Sequence, residues 1–175
     1  MKTLPRLSLV LGGAACGKSA FAEGLVTSVC DRPTYIATSQ VYDAEMAEKV
    51  AAHQTMRGQN WTTIEEPLDI AAALAAAPPD TPVLIDCATL WLTNVILGEH
   101  DLEAAQAGFL KAITQAGQPV VIVSTETGQG IVPENALARR FRNAQGKLNQ
   151  EIAARADLVV AVMAGLPLVL KGQLP

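Results

Sequence analysis

The segment Leu7-Ser8-Leu9-Val10-Leu11 runs directly into Gly12-Gly13-Ala14-Ala15-Cys16-Gly17-Lys18-Ser19, and a helical pattern follows from Lys18. A short, mostly apolar strand, a glycine loop of the form G-x4-G-K-S and a helix make a βα unit that belongs in a parallel sheet. The loop composition has a direct physical reading. Glycines let successive backbone N–H groups turn inward around phosphate oxygens, and the helix N-terminus adds positive potential. Lys18 is expected to neutralise β/γ-phosphate charge, and the Ser19 hydroxyl to ligate Mg2+. An ordinary glycine-rich turn has no need of Lys-Ser at this point. Gly12, Gly13, Ala14, Ala15, Cys16, Gly17, Lys18 and Ser19 are therefore the expected nucleotide contacts, with Lys18 also catalytic.

Short apolar runs alternate with helical patterns along the rest of the chain. Tyr35–Thr38, Val83–Asp86, Val120–Ser124, Asp157–Met163 and Leu166–Leu170 read as further strands. Only Ala164-Gly165 separates the last two, which is short enough for a hairpin at a sheet edge. Helices are expected over Lys18–Val29, Asp43–Met56, Leu68–Ala76, Thr89–Leu97, Leu102–Gln115 and Asn135–Arg155. In the last, Leu137, Phe141, Leu148 and Ile152 form one stripe while Arg139, Arg142 and Lys147 lie off it. Pro78, Pro79 and Pro82 mark a turn before a central strand. This alternation implies a single domain over 1–175, a parallel sheet covered on both faces, with ligands at the carboxyl ends of the strands.

Composition narrows the function classes. Half of the 175 residues are hydrophobic but only three Phe, two Tyr and two Trp are present, so the core must be aliphatic. A net charge of −4 argues against a basic nucleic-acid surface, and the scarcity of aromatics against a base-stacking platform. No run approaches the roughly 20 apolar residues of a membrane span. Cys16, Cys30 and Cys87 make an odd number with no CxxC pair, which suits a reduced compartment. A soluble, cytoplasmic protein is expected, with neither a nucleic-acid partner nor a membrane span.

Other candidates follow from position. Asp86, at the end of the buried run Val83-Leu84-Ile85-Asp86, suits a carboxylate that holds Mg2+ through its water shell; capping of the next helix is the alternative role. Thr38, Ser39 and Gln40 follow a strand's carboxyl end and suit either a ligand or a capping turn. Met46, Val50, His53 and Arg57 share one helical face. Spacing alone makes His53 a partly buried histidine, yet a cation on that stripe is more natural beside an anionic ligand than in a core. His100, in Gly98-Glu99-His100-Asp101, reads as a solvated turn residue. The loop says nucleoside triphosphate but not which reaction: there is no Asn-Lys-x-Asp sequence to read guanine, and the loop is not the GxxGxGK form.

An ordered set of blocks resembles the family of bifunctional adenosylcobinamide kinase / adenosylcobinamide-phosphate guanylyltransferases of cobalamin nucleotide-loop assembly. It comprises Gly12–Ser19; Tyr35-Ile36-Ala37-Thr38; Glu45-Met46 with His53, Arg57, Trp61 and Glu65; and Asp86 through Asn94. It continues through Gly130-Ile131-Val132-Pro133-Glu134-Asn135 to Arg142, then Gly146, Asn149-Gln150, Ala156-Asp157 and Gly165 to Leu168. The resemblance covers nearly the whole chain and implies a P-loop NTPase-like (RecA-like), mostly parallel α/β sheet with a C-terminal edge hairpin. Two departures stand out: Ala15 and Cys16 replace the usual Arg-Ser of the loop, and Thr125-Glu126-Thr127-Gly128 stands where the family has Asn-Glu-Val-Gly.

The resemblance also implies two reactions. A nucleoside triphosphate, ATP or GTP, first phosphorylates the hydroxyl of the aminopropanol arm of adenosylcobinamide. GMP from GTP is then placed on that phosphate, with loss of pyrophosphate, through a GMP–histidine intermediate for which His53 matches the nucleophile. Gln54 and Arg57 are candidates to contact GTP, and Arg57 to stabilise the leaving pyrophosphate. Glu65 suits recognition of guanine N1–H and its amine or of the ribose, or else is a solvated carboxylate. Glu126 is a candidate for a magnesium water or for the base of the alcohol. Arg139, Arg140 and Arg142 are placed either near phosphates or on a solvated helix face. Trp91 and the Leu90–Leu97 stretch serve either a groove for the corrinoid, a subunit contact or the core, and Cys16 is either oxidation-sensitive or packed and inert. A bulky corrinoid on so small a domain suggests a homo-oligomer. Two alternatives stay open: a single-activity small-metabolite kinase with a structural His53, and a non-catalytic nucleotide-dependent switch.

Overall fold

The computed structural model describes residues 3–40 and 60–175. The expected helix Asp43–Met56, and with it His53, Gln54 and Arg57, lies outside the described residues. The elements run β1 (Leu7–Gly12), α1 (Lys18–Thr27), β2 (Thr34–Ala37), β3 (Thr62–Glu65), α2 (Ile70–Ala76), β4 (Val83–Asp86) and α3 (Ala88–Leu97). They continue with α4 (Leu102–Gln115), β5 (Val120–Thr125), α5 (Ala136–Arg155), β6 (Leu158–Met163) and β7 (Leu166–Lys171). The strands form one seven-stranded sheet in the order β3-β2-β4-β5-β1-β6-β7. All neighbours are parallel except the antiparallel β6–β7 pair, which turns through Ala164-Gly165 as the short spacing predicts. This is the P-loop-type, mostly parallel α/β sheet with a C-terminal hairpin that the sequence implies.

Strand pleating splits the core into two layers. On one face Leu7, Leu9, Ile36, Ile85 and Ile122 pack against α2, α3, α4 and α5 through residues such as Leu92, Ile113, Leu148 and Ile152. On the other, Val10, Leu84, Val121, Val123 and Val160 pack against Ala22, Leu25 and Val26 of α1. Aliphatic side chains supply nearly all of this. The aromatic exceptions are Trp91 against Phe109, with ring centroids 4.4 Å apart, an edge-on contact of Tyr35 with Trp61 at 5.9 Å, and the partly buried Phe141 and Phe21, one at each layer.

Strand β3 is the element that sequence patterning reduces to an extended segment. It pairs in parallel with β2, Thr34 opposite Thr62 through Ala37 opposite Glu65. As a four-residue edge strand with only Ile64 partly covered, it carries no apolar run to announce it. At the opposite edge every residue of β7 is exposed. The helix that begins at Ile70 does so because the Asp69 carboxylate accepts from Ala72 N–H, two residues later than spacing predicts.

This layering makes the central strands the main source of stability. Ile122→Ala should lower the unfolding free energy by about 2–5 kcal/mol. Leu170→Ala, on the exposed strand at the sheet edge, should change it by no more than about 0.5 kcal/mol. Urea denaturation of the two variants checks the contrast.

Candidate active site

The sheet delivers the ends of β1, β4 and β5 to one edge, and the glycine loop leaves from the first of these. Gly12, the last residue of β1, is buried. A Cβ there would overlap Cys16 Sγ and lie 2.7 Å from the Val162 carbonyl oxygen. The Gly12 carbonyl in turn accepts from Glu126 N–H at 3.0 Å, tying the loop to the end of β5. Ala15 (φ 54°) and Gly17 (φ 93°) take left-handed conformations, the kind of backbone turn from which anion-binding nests are built. Lys18 Nζ reaches back to donate to the Gly13 carbonyl at 3.0 Å. The N-terminus of α1 has no side-chain cap, and no acidic residue sits in its first turn, so its amides and dipole face the loop interior uncompensated.

The second wall is built from β2 and β4. Asp86 ends β4 half-buried. The Cys87 thiol behind it is buried, which pushes its pKa up to about 12. The Asp86 carboxylate adds to that rise and the Lys18 ammonium opposes it, so both charges lie near this thiol. Thr38 is fully buried: its hydroxyl donates to the Cys87 carbonyl and accepts from Cys87 N–H, both at 2.8 Å. Asn94 Nδ2 donates to the carbonyls of Thr38 (2.7 Å) and Pro67 (3.0 Å). Of the two roles open to Thr38 in the sequence, neither is what its hydroxyl does here; it clamps β2 to the start of α3. Ser39 and Gln40 are half-buried beyond it.

The third wall rests on polar groups that sequence reasoning did not single out for it. The Thr89 hydroxyl accepts from Thr125 N–H at 2.8 Å. Below it, Ser124 Oγ donates to Asn149 Oδ1 at 2.6 Å, while Gln145 Nε2 donates to both. Asn149 Nδ2 donates to the Thr125 carbonyl at 3.2 Å. This buried cluster fixes the end of β5, from which the Glu126 carboxylate turns to accept from Gly128 N–H at 2.6 Å. Polar residues at Gln145 and Asn149 on the inner stripe of an amphipathic helix were the available signal.

The remaining candidates lie elsewhere. Arg142 donates to the Gly128 carbonyl at 3.0 Å, and Arg139 to the carbonyls of Pro133 and Glu134, so both brace the loop before α5. Arg140 is exposed. Glu65 is exposed at the carboxyl end of the edge strand β3. Trp91 is a core residue whose Nε1 donates to the Leu68 carbonyl at 3.0 Å. It also walls a cavity of about 320 Å³ with Ile70, Val95, His100 and Phe109. Cys16 is half-buried against the cluster that contains Cys87. No helix of the described residues is long and apolar enough to cross a membrane.

An uncapped helix N-terminus, a glycine loop with its lysine and an acid at a nearby strand end define the phosphate-binding class of P-loop proteins. The particular family is marked by comparison of the whole chain. The model described as "Cobinamide kinase / cobinamide phosphate guanyltransferase" matches residues 8–170. A bifunctional adenosylcobalamin biosynthesis protein of Pseudomonas aeruginosa is 41% identical over 168 residues, covering 94% of this chain and 97% of that protein. Its counterpart in Salmonella typhimurium is 40% identical over 182 residues, covering 93% and 98%. The chain belongs to this family. A solved structure from Pyrococcus horikoshii superposes at a TM-score of 0.51 with 7% identity, over 97% of this chain and 87% of that one, a likeness of fold alone.

Two outcomes follow from this geometry. Gly12→Ala must displace the backbone carbonyl of Val162, so it should cost stability and abolish detectable binding of a fluorescent GTP analogue, as thermal melting and titration will report. In the native protein at pH 8, iodoacetamide should label Cys16 and Cys30 but leave Cys87 unmodified, because a thiol with a pKa near 12 stays protonated and buried. Peptide mass spectrometry reads the difference.

Proposed function

We propose that this chain phosphorylates adenosylcobinamide with a nucleoside triphosphate and then transfers GMP from GTP to the product, giving adenosylcobinamide-GDP and pyrophosphate. The single observation that carries the reading is the match to the cobinamide kinase / cobinamide phosphate guanyltransferase family over residues 8–170, with the loop Gly12–Ser19 open at the head of α1.

In the kinase step, the loop amides and Lys18 hold the β- and γ-phosphates, and the substrate hydroxyl oxygen attacks the γ-phosphorus as the bond to the β-phosphate oxygen breaks. Glu126, at the end of β5, is in the right part of the sheet to take the alcohol proton. Ser19 and Asp86 are hard oxygen donors suited to Mg2+, and that ion, when bound, supplies charge neutralisation on the phosphates. Among the described residues no group of three or more His, Cys, Asp or Glu is gathered for a metal.

In the second step, neutral His53 attacks the α-phosphorus of GTP; a P–N bond forms and pyrophosphate leaves. The phosphate of adenosylcobinamide phosphate then attacks the same phosphorus, the P–N bond breaks, and the histidine is regenerated. Arg57 and Lys18 offset charge on the departing pyrophosphate. Gln54 and Glu65 contact GTP, Glu65 through guanine or ribose. Ser39 and Gln40 follow the end of β2 as further candidate contacts. Thr38 is fully buried, with its hydroxyl, N–H and carbonyl all hydrogen-bonded within the fold, so it serves the site by holding β2 in place. The bulk of a corrinoid favours a site completed by a second copy of the chain.

Incubation with GTP labelled on its α-phosphate should give an acid-labile, alkali-stable protein adduct. His53→Ala should give none while keeping kinase activity, since Lys18 and Ser19 are untouched. Equal labelling of that variant would remove His53 from the mechanism. Lys18→Ala should lower the kinase rate by a factor on the order of 10² or more, the usual cost of deleting one electrostatic group from a transfer site.

A further inference from the structure

The β6–β7 hairpin adds a wholly exposed strand to the sheet, so side-chain burial does not account for it. Both of its ends are nevertheless fixed to the rest of the fold. At the far end, Lys171 Nζ donates to the carbonyls of Ala153 and Ala154, each at 3.1 Å, at the C-terminus of α5. At the near end the hairpin meets the phosphate loop. Gly165 N–H donates to the Cys16 carbonyl at 2.8 Å. A Cβ on Gly17 would stand 3.2 Å from Gly165 Cα, and the Val162 carbonyl fills the space beside Gly12.

The Cys16 hydrogen bond has a geometric consequence. A trans peptide carries its C=O and the following N–H on opposite sides. Holding the Cys16 carbonyl toward the hairpin therefore turns the Gly17 N–H the other way, toward the inside of the loop, where a phosphate oxygen would accept it. We infer that Gly165 is a positioning residue for nucleotide binding: its N–H sets the Cys16–Gly17 peptide plane and so aims the Gly17 amide at a nucleotide phosphate. The inference rests on the reading of Gly12–Ser19 as the phosphate site. The turn is specialised for the task. Ala164 (φ 50°) and Gly165 (φ 78°) both lie in the left-handed region that a two-residue hairpin requires. At 165 a side chain other than that of Gly, Asn or Asp is strained in this region, most of all a β-branched one, and the amide would swing as that strain relaxes.

The test is titration of the full chain with N-methylanthraniloyl-GTP, alongside thermal melting without nucleotide. Gly165→Val should weaken binding about tenfold or more, the scale of one lost charge-assisted hydrogen bond. Gly165→Asn, which keeps both the N–H and the left-handed turn, should bind within about twofold of the wild type. Gly165→Ala, whose Cβ meets nothing within 4 Å, is the milder variant should valine prevent folding, and should fall between the two. Lys171→Ala loosens the far end of the hairpin; it should lower the melting temperature and leave affinity unchanged. Wild-type affinity in Gly165→Val or Gly165→Ala would overturn the inference, as would losses of affinity that simply track the melting temperature across all the variants. Lys18→Ala separates this from failure of the underlying reading: unchanged binding there would mean that the loop is not the phosphate site at all.

Discussion

Gly12 has no space for a side chain, and the site is organised around that restriction. β1 is paired on both sides along its length, with β5 and β6 as its neighbours. At its last residue the chain must turn out of the sheet between the Val162 carbonyl and the Cys16 thiol. Only a glycine passes there with the backbone in contact. The loop that follows inherits its position from two flanking strands instead of from its own side chains. Its carbonyls are spent on neighbours at Gly12, Gly13 and Cys16. With these carbonyls engaged by neighbours, the loop amides remain for an anion, which is the chemistry a phosphate requires.

The flanking strand ends are rigid for a different reason. Thr38, Asn94 and the backbone of Cys87 lock β2 to β4 and α3, while Ser124, Gln145 and Asn149 lock β5 to α5. Buried polar groups of this kind contribute little net stability when satisfied and cost much when one partner is lost. Their value here is geometric. They hold Asp86 and Glu126 at fixed places beside the loop while leaving both carboxylates half-exposed. Cys87, next to Asp86 in the chain, is kept protonated by burial and by the Asp86 charge, so it adds no competing nucleophile.

Much of this is legible in the sequence because it depends on local pattern. The glycine loop, the apolar runs that end at Asp86 and Ser124, and the two residues between β6 and β7 specify a parallel sheet with a phosphate site and an edge hairpin. What pattern could not supply depends on neighbours distant in the chain. β3 is strand because β2 offers it an edge, not because Thr62-Thr63-Ile64-Glu65 alternates strongly. Thr38 looks like a ligand-binding turn residue until Cys87, 49 positions later, claims its hydroxyl. Gly165 reads as a turn glycine, and its contact with Cys16 emerges only once β6 lies beside β1. His53, Gln54 and Arg57 rest on family resemblance, since they fall outside the described residues.

The central claim is that one phosphate loop serves both transfers, and single-turnover assays of Lys18→Ala test it most directly. Phosphorylation of adenosylcobinamide and formation of the GMP adduct are followed separately in the same preparation. Large losses in both half-reactions are predicted, because both place a triphosphate on the same amides and the same ammonium. A wild-type rate in either one would mean that a second nucleotide site performs it, and would contradict the account.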